Sequence, residues 1–345
     1  MKNYPTHFTN EQELEEALSR PTPELVKMMS TLEGDFILLG VAGKMGVSMA
    51  RMAKRACKEA GVEKRIIGVS RFSSPEQRIF LEESGIETIK GDLLNFDFIN
   101  SLPEVKNVIY LAGMKFGTGG NESFTWAMNS FLPGLVVEKF KNSRIVAFST
   151  GCVYPLVKIT SGGSKESDAP GPVGEYSQSC LGRERLFEFG SINNKTPVVL
   201  IRLNYAVEMR YGVLVDIATK VHNQETIDLT MGHANVIWQG DANEMILRSI
   251  EYCNSPAKHL NISGAEVISV ANVAKQFGKI MGKKVKLIGV EADSALLVNV
   301  SQGHKLLGKP KVALDQVIKW TANWIGNEHR LLGKATHFEV RDGKY

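Results

Sequence analysis

Short apolar runs alternate with helix-length segments along most of the chain. Phe36 to Leu39, Ile66 to Ser70, Glu87 to Lys90, Val108 to Ala112, Arg144 to Ser149 and Val198 to Arg202 read as strands. Apolar strands that recur with helices between them predict an α/β protein with a doubly wound parallel sheet covered on both faces. Ahead of the first strand, Thr9 with Gln12 three positions on reads as a capping box opening a helix over EQELEEAL. Pro21 and Pro23 break that helix, and a second one is expected over Glu24 to Leu32. Residues 1–34 thus form a helical extension, expected to cover a sheet edge or a partner subunit. The Gly- and Ser-rich stretch Thr160 to Gly174 reads as a mobile loop beside the site. After Asn204 the alternation becomes irregular, which predicts a smaller second domain.

The segment DFILLGVAGKMGVSMA, from Asp35 to Ala50, organises the rest. A strand breaks into Gly40, Gly43 and Gly46 and continues as a helix, the Rossmann-type strand, turn and helix of a dinucleotide-binding unit. Gly40 allows the turn, Gly43 a close approach of backbone N–H groups to a diphosphate, and Gly46 close packing of helix on sheet. Lys44 and Met45 lie inside the turn, at the helix N-terminus, whose dipole favours phosphate.

Composition removes several alternatives. With 43% hydrophobic and 23% charged residues and a net charge of +4 spread over both signs, the chain is globular and carries no basic stripe for nucleic acid or an anionic membrane. Cys57, Cys152, Cys180 and Cys253 form no CxxC pair, so neither a disulfide framework nor a zinc site is expected. No metal ligand set is read, and His337 in the tail is taken as a surface or interface residue. The polar N-terminus and the lack of a membrane-length apolar run lead to an expected cytoplasmic location.

The second strand ends in IIGVSRF. Ser70 stands where a carboxylate normally grips the adenosine ribose, and Arg71 follows, a donor suited to a 2′-phosphate. Lys44 is a candidate second cation for that phosphate. NADP is therefore the expected cofactor, with NAD possible. Asp92, after Gly91, suits a hydrogen bond to adenine, or closes its own turn.

The motifs then accumulate in order. GVAGKMG, VSR, GDL at Gly91 to Leu93, VIYLAG through Leu111, Ala112 and Gly113, Asn129 in TWAMNSFLPG, FSTGCVYP, GEYSQS, IRLN and WQGDANEMI together resemble the extended short-chain dehydrogenase/reductase family, also described as NAD-dependent epimerase/dehydratase proteins, over about residues 35–325. The resemblance implies a dinucleotide-binding domain over 35–203 and a mainly substrate-binding domain over 204–345, with segments near 235–245 and 258–264 returning to the first. It also implies hydride transfer, with Tyr176 as proton donor or acceptor, Thr150 orienting the substrate oxygen and Asn129 holding a relay water. A homodimer through the helices bearing Asn129 and Tyr176 is implied by the family alone.

One departure bears directly on chemistry. The family's lysine four residues after the tyrosine is Cys180 here, and a neutral thiol cannot favour the phenolate as an ammonium does. Three readings stay open: Lys115 supplies the charge, the tyrosine works less well, or the protein binds a dinucleotide without catalysis. Gly151 and Cys152 follow Thr150 where the family's dehydratases carry Asp and Glu, which argues against dehydration. His233 occupies the stretch where nucleotide-sugar enzymes carry a diphosphate-binding arginine. The expected substrate is thus a sugar, sugar acid or similar carbohydrate-derived molecule, touching Thr150, Cys152, Asn204, Arg210 and Tyr211. A nucleotide-sugar epimerase with an altered phosphate site, or a non-catalytic regulator, is the alternative.

Overall fold

The computed structural model describes residues 4–115, 117 and 119–343. Its centre is a seven-stranded parallel sheet of β1 (Phe36–Leu39), β2 (Ile66–Ser70), β3 (Glu87–Lys90), β4 (Asn107–Tyr110), β5 (Arg144–Thr150), β6 (Val198–Leu203) and β7 (Lys258–Ile262), in the order β7-β6-β5-β4-β1-β2-β3. β1 lies centrally, Phe36 in register with Ile66 on one side and Asn107 on the other. Its four side chains are fully buried, which is why it reads as an unbroken apolar run rather than an alternating one. The chain order reverses between β1 and β4, and at such a point the carboxyl ends of the strands leave a crevice.

The helices follow as α1 (Glu11–Leu18), α2 (Pro23–Thr31), α3 (Gly46–Glu59), α4 (Pro75–Glu83), α5 (Phe96–Ser101), α6 (Glu122–Trp126), α7 (Leu132–Lys139), α8 (Gly174–Asn194), α9 (Val213–His222), α10 (Gln239–Arg248), α11 (Val270–Met281), α12 (Ser301–Leu307) and α13 (Leu314–Gly326). A single π turn, Ala127–Phe131, joins α6 to α7 and carries Asn129. Among the described residues no helix is long and apolar enough to cross a membrane.

Two local expectations shift. The capping box of α1 is one residue later than the Thr9–Gln12 spacing suggests: Asn10 Oδ1 accepts from Glu13 N at 2.9 Å, and Glu13 reaches back to Thr9 N at 2.8 Å. The Thr160 to Gly174 stretch is not a free loop. Ser164 N donates to Leu297 O at 2.9 Å, Asn299 N donates to Ser164 O at 2.8 Å, and the Glu166 carboxylate accepts from Asn261 N at 2.9 Å.

The extension divides between two cores: α2 buries Leu25, Met28 and Met29 with β1 and α3, while α1 and the residues before it join the C-terminal core. Phe8, Leu14 and Leu18 are buried with residues of α9, α11 and α13, and the Phe8 ring lies 4.8 Å from that of Trp320. Burial of two such rings is among the larger apolar contributions one residue can make. The C-terminal segment after α13 folds back across the same lobe, with Leu332 N donating to Arg210 O at 3.0 Å and Phe338 buried.

Candidate active site

The turn after β1 shows which glycines the protein itself requires. Gly40 has φ +90°, and a Cβ there would lie 2.8 Å from Ala112 N. A Cβ at Gly46 would strike the Val41 carbonyl, whereas one at Gly43 would meet only Gly40 O, at 3.2 Å. Gly43 therefore leaves space that the fold does not fill. Beyond it, α3 begins at Gly46 with no side-chain cap, so its first-turn N–H groups are oriented for an anion. These two features fit a dinucleotide diphosphate: the turn would hold it through backbone N–H groups.

The turn forms one end of a cavity of about 260 Å³. Gly40, Gly43, Lys44, Met45 and Gly46 line that end; Leu111, Gly113 and Lys115 follow from the end of β4. Thr150, Cys152, Tyr176, Asn204 and Tyr211 line the same cavity. Ser70, Arg71, Asp92 and Leu93 lie outside the cavity, at the ends of β2 and β3. Arg71 is exposed and makes no ion pair among the described residues. Asp92 Oδ1 accepts from Leu94 N at 3.0 Å, so that oxygen closes its own turn. Leu93 is buried, and Ala112 contributes backbone beside Gly40.

Lys44 corrects one expectation. Its Nζ donates to Ala206 O at 2.8 Å and sits 3.8 Å over the Tyr211 ring. The ammonium is held against Ala206 and Tyr211, so it does not join Arg71 at a 2′-phosphate. Protein surrounding the ammonium pushes its pKa down to about 7, against the opposing pull of the Glu208 carboxylate and with Lys115 and Arg210 adding to the fall.

Tyr176, in the first turn of α8, has hydroxyl partners on both sides: the Thr150 hydroxyl and the Cys180 thiol. Burial, with the neighbouring Cys180 and Cys152 thiols, raises its phenol well above the usual value; Arg183 and the Thr150 hydrogen bond work the other way. Cys180 is fully buried and its thiol is pushed up to about 11, mainly by burial. It is therefore a neutral thiol near pH 7, in contact with the phenol it cannot charge-stabilise.

The cation beside Tyr176 is Arg183, which the sequence reading missed. It stands two helical turns beyond Tyr176 on the same face of α8, and that spacing was the available signal. Its Nη2 donates to Asn129 Oδ1 at 2.6 Å and its Nη1 to Phe148 O at 2.9 Å. Lys115, expected in this role, points into the cavity but toward the C-terminal segment, donating to Thr336 O at 3.2 Å.

Asn129 and Arg210 are likewise corrected. Asn129 Oδ1 accepts from Met114 N at 2.8 Å and from Arg183; its Nδ2 donates to Met114 O at 2.8 Å and Ser179 Oγ at 3.0 Å. Two donor and two acceptor places are filled by protein, leaving none for a relay water. Asn129 clamps the β4 loop to α8 instead. Arg210 is held by three carboxylates, Glu11 at 3.0 Å, Glu15 at 2.7 Å and Glu208 at 3.2 Å, so it fastens α1 rather than presenting itself to a substrate acid. Asn204 is fixed by Asn235 Oδ1 at 2.9 Å while lining the wall.

Below the cavity lies a second group the sequence reading missed. Arg202 binds Glu184 through two bonds of 2.9 and 2.7 Å, and Glu184 also accepts from Ser149 Oγ. The Arg202 and His259 partners hold Glu184 down at about 2 despite burial. His259 Nε2 lies 3.0 Å from Glu188, and with Arg202 on its carboxylate Glu184 has little left for a cation.

No protein-family model and no curated protein matches the chain. Among solved structures, UDP-glucuronic acid 4-epimerase from Bacillus cereus in complex with NAD is similar at 18% identity and TM-score 0.70, covering 86% of this chain and 100% of that one. UDP-glucose 4-epimerase from Thermotoga maritima with UDP-glucose matches at 17% identity and TM-score 0.70, over 85% and 99% of the two chains. MoeE5 in complex with UDP-glucuronic acid and NAD matches at 17% identity and TM-score 0.68, over 85% and 99%. The chain thus shares the Rossmann-type fold of these structures.

Proposed function

We propose that this chain is an NAD(P)-dependent oxidoreductase or epimerase acting by hydride transfer on a sugar, sugar acid or similar carbohydrate-derived substrate. The observation that carries the proposal is that Tyr176 and Thr150 line the same cavity as the glycine turn. A bound nicotinamide would supply or accept the hydride. Tyr176 would hold or release the proton of the substrate hydroxyl, Thr150 would orient that oxygen, and the Arg183 charge would favour the phenolate. The B. cereus and MoeE5 structures were each solved with NAD, which supports a dinucleotide at this turn. Ser70 and exposed Arg71 support NADP(H) as the preferred form.

A catalytically silent dinucleotide-binding protein is the second reading, favoured by the raised Tyr176 phenol and the Cys180 thiol beside it. Titration with NAD(H) and NADP(H), followed by a screen of sugars and sugar acids for a change in nicotinamide absorbance, separates the two. Absence of dinucleotide binding sinks both; binding with no absorbance change across the screen selects the second. The reading extends to a cytoplasmic homodimer. Four free cysteines support the compartment, and exposed Phe131, Phe189 and Ile192 on the π turn and α8, which pack together, support the dimer.

A further inference from the structure

The cavity walls hold cations and, among the described residues, no carboxylate: Lys44, Lys115 and Arg183 are its only basic side chains, and Glu208 and Asp216 stand behind the lining. Each of these three cations is held by protein. Arg183 is taken up by Asn129 and Phe148 O beside Tyr176, and Lys44 projects from the glycine turn at the cofactor end. Lys115 is different in being aimed by the chain's C-terminal segment. Its ammonium donates to the Thr336 carbonyl, and Thr336 is itself fixed through its N and Oγ1 to Asp216 Oδ2 at 2.9 and 2.5 Å. Farther along the segment, Arg341 donates to Ser294 O and Ser294 Oγ, each at 2.8 Å. The carbonyl that aims Lys115 is neutral, and the Asp216 carboxylate that fixes Thr336, with the Cys152 and Cys180 thiols, favours the ammonium form. Burial pushes the Lys115 pKa down, and an anion entering the cavity would offset that desolvation.

We infer that Lys115 is a substrate anchor that pairs with a carboxylate, and that the substrate is a small hydroxy acid of the carbohydrate class. The inference rests on the function proposed above and narrows it. Lys115 lines the same cavity as Thr150 and Tyr176, so one small molecule spans both: its carboxylate on Lys115, its carbinol oxygen on the hydroxyl pair. Ammonium and carboxylate form a charge-assisted hydrogen bond, stronger than the neutral contacts an aldose would make at the same place. Thr336 lines the cavity beside Lys115, which favours a compact acid.

The test is binding of D-gluconate, D-glucuronate, D-glucose and D-glucose 6-phosphate to the full chain by calorimetry, with and without saturating dinucleotide. The expected result is at least a tenfold preference for one of the two carboxylates over glucose. That preference should fall to within twofold in Lys115→Met and survive in Lys115→Arg, with dinucleotide affinity changed less than threefold in both. Equal affinity for acids and glucose, no saturable binding of either acid, a preference that persists in Lys115→Met, or a Lys115-dependent preference confined to the 6-phosphate overturns the inference. Failure to bind dinucleotide would instead sink the proposed function, and the titrations without dinucleotide would still read the anion preference.

Discussion

The Arg183 guanidinium donates to Asn129 Oδ1 at 2.6 Å, and this one bond joins the side chain that positions the β4 loop to the cation that acts on Tyr176. A charge fixed in that way, with Nη1 also on Phe148 O, keeps its place beside the cavity. It stands where a mobile lysine ammonium is absent, and it reaches Tyr176 from two turns along α8 rather than one.

Removing the Arg183 charge should therefore make the phenolate harder to form. In Arg183→Met the ascending limb of the turnover–pH profile, along which activity rises as the phenol ionises, should move about 1–2 units toward higher pH, since loss of a nearby cation disfavours the anion. Turnover at pH 7 should fall about 10- to 100-fold, with dinucleotide affinity within threefold of the parent. Arg183→Lys should recover part of the loss. A profile that stays in place in Arg183→Met would remove Arg183 from the chemistry.

Lys44 gives a second pH signature, at the cofactor. Its pKa of about 7 means that the ammonium is lost as pH rises through neutrality, while a diphosphate favours the protonated form. Binding then requires proton uptake above about pH 7, and dinucleotide affinity should fall several-fold between pH 6 and pH 8.5. Lys44→Met should bind more weakly at pH 6 and lose most of the slope. Parallel slopes in the two proteins would show that the ammonium does not meet the phosphates.

Much of this was legible beforehand because it is local. The glycine turn, the strands and the order of their motifs depend on neighbouring residues, and strand ends differ by a residue or two. The roles of Asn129, Arg210 and Lys115 depend on what arrives from far along the chain. Arg210 meets Glu11 and Glu15, and Lys115 meets Thr336; no local pattern encodes those partners. Arg183 is legible as well, since helix periodicity alone puts it on the Tyr176 face, two turns along rather than the one turn at which a lysine is expected.

Arg71 tests the choice of cofactor. Arg71→Asp should weaken NADP(H) at least tenfold more than NAD(H), because a carboxylate repels the 2′-phosphate and accepts from ribose hydroxyls. Equal changes in the two affinities, measured by nicotinamide fluorescence, would refute the assignment. Lys44, committed to Ala206 and Tyr211, should leave the ratio of the two affinities unaltered when replaced by Met.

The exposed apolar residues of α8 test the dimer. Phe189 and Ile192 are 65% and 64% exposed, a cost in water that a partner helix would remove. Ile192→Asp with Phe189→Asp should shift the sedimentation coefficient from dimer to monomer. A parent chain that is already monomeric at micromolar concentration would end this reading.

Arg210 offers a test of stability separate from catalysis. Glu208 is 1% exposed and Arg210 is its closest cation, so Arg210→Met would leave a buried carboxylate uncompensated and release α1 at Glu11 and Glu15. Breaking a buried pair in this way costs about 3–5 kcal/mol, and the melting temperature should drop accordingly. The pH sign follows from Glu208, whose pKa is raised chiefly by burial and would rise further without Arg210. A carboxyl whose folded pKa exceeds its unfolded value contributes stability at low pH and loses it as pH climbs through the folded pKa. The deficit of Arg210→Met in thermal melts should therefore be larger at pH 8 than at pH 5, and Arg210→Lys should show a smaller deficit with the same trend. A deficit independent of pH would mean that the loss comes from the α1 contacts alone and that Glu208 is compensated by another group, with Lys44 the nearest candidate.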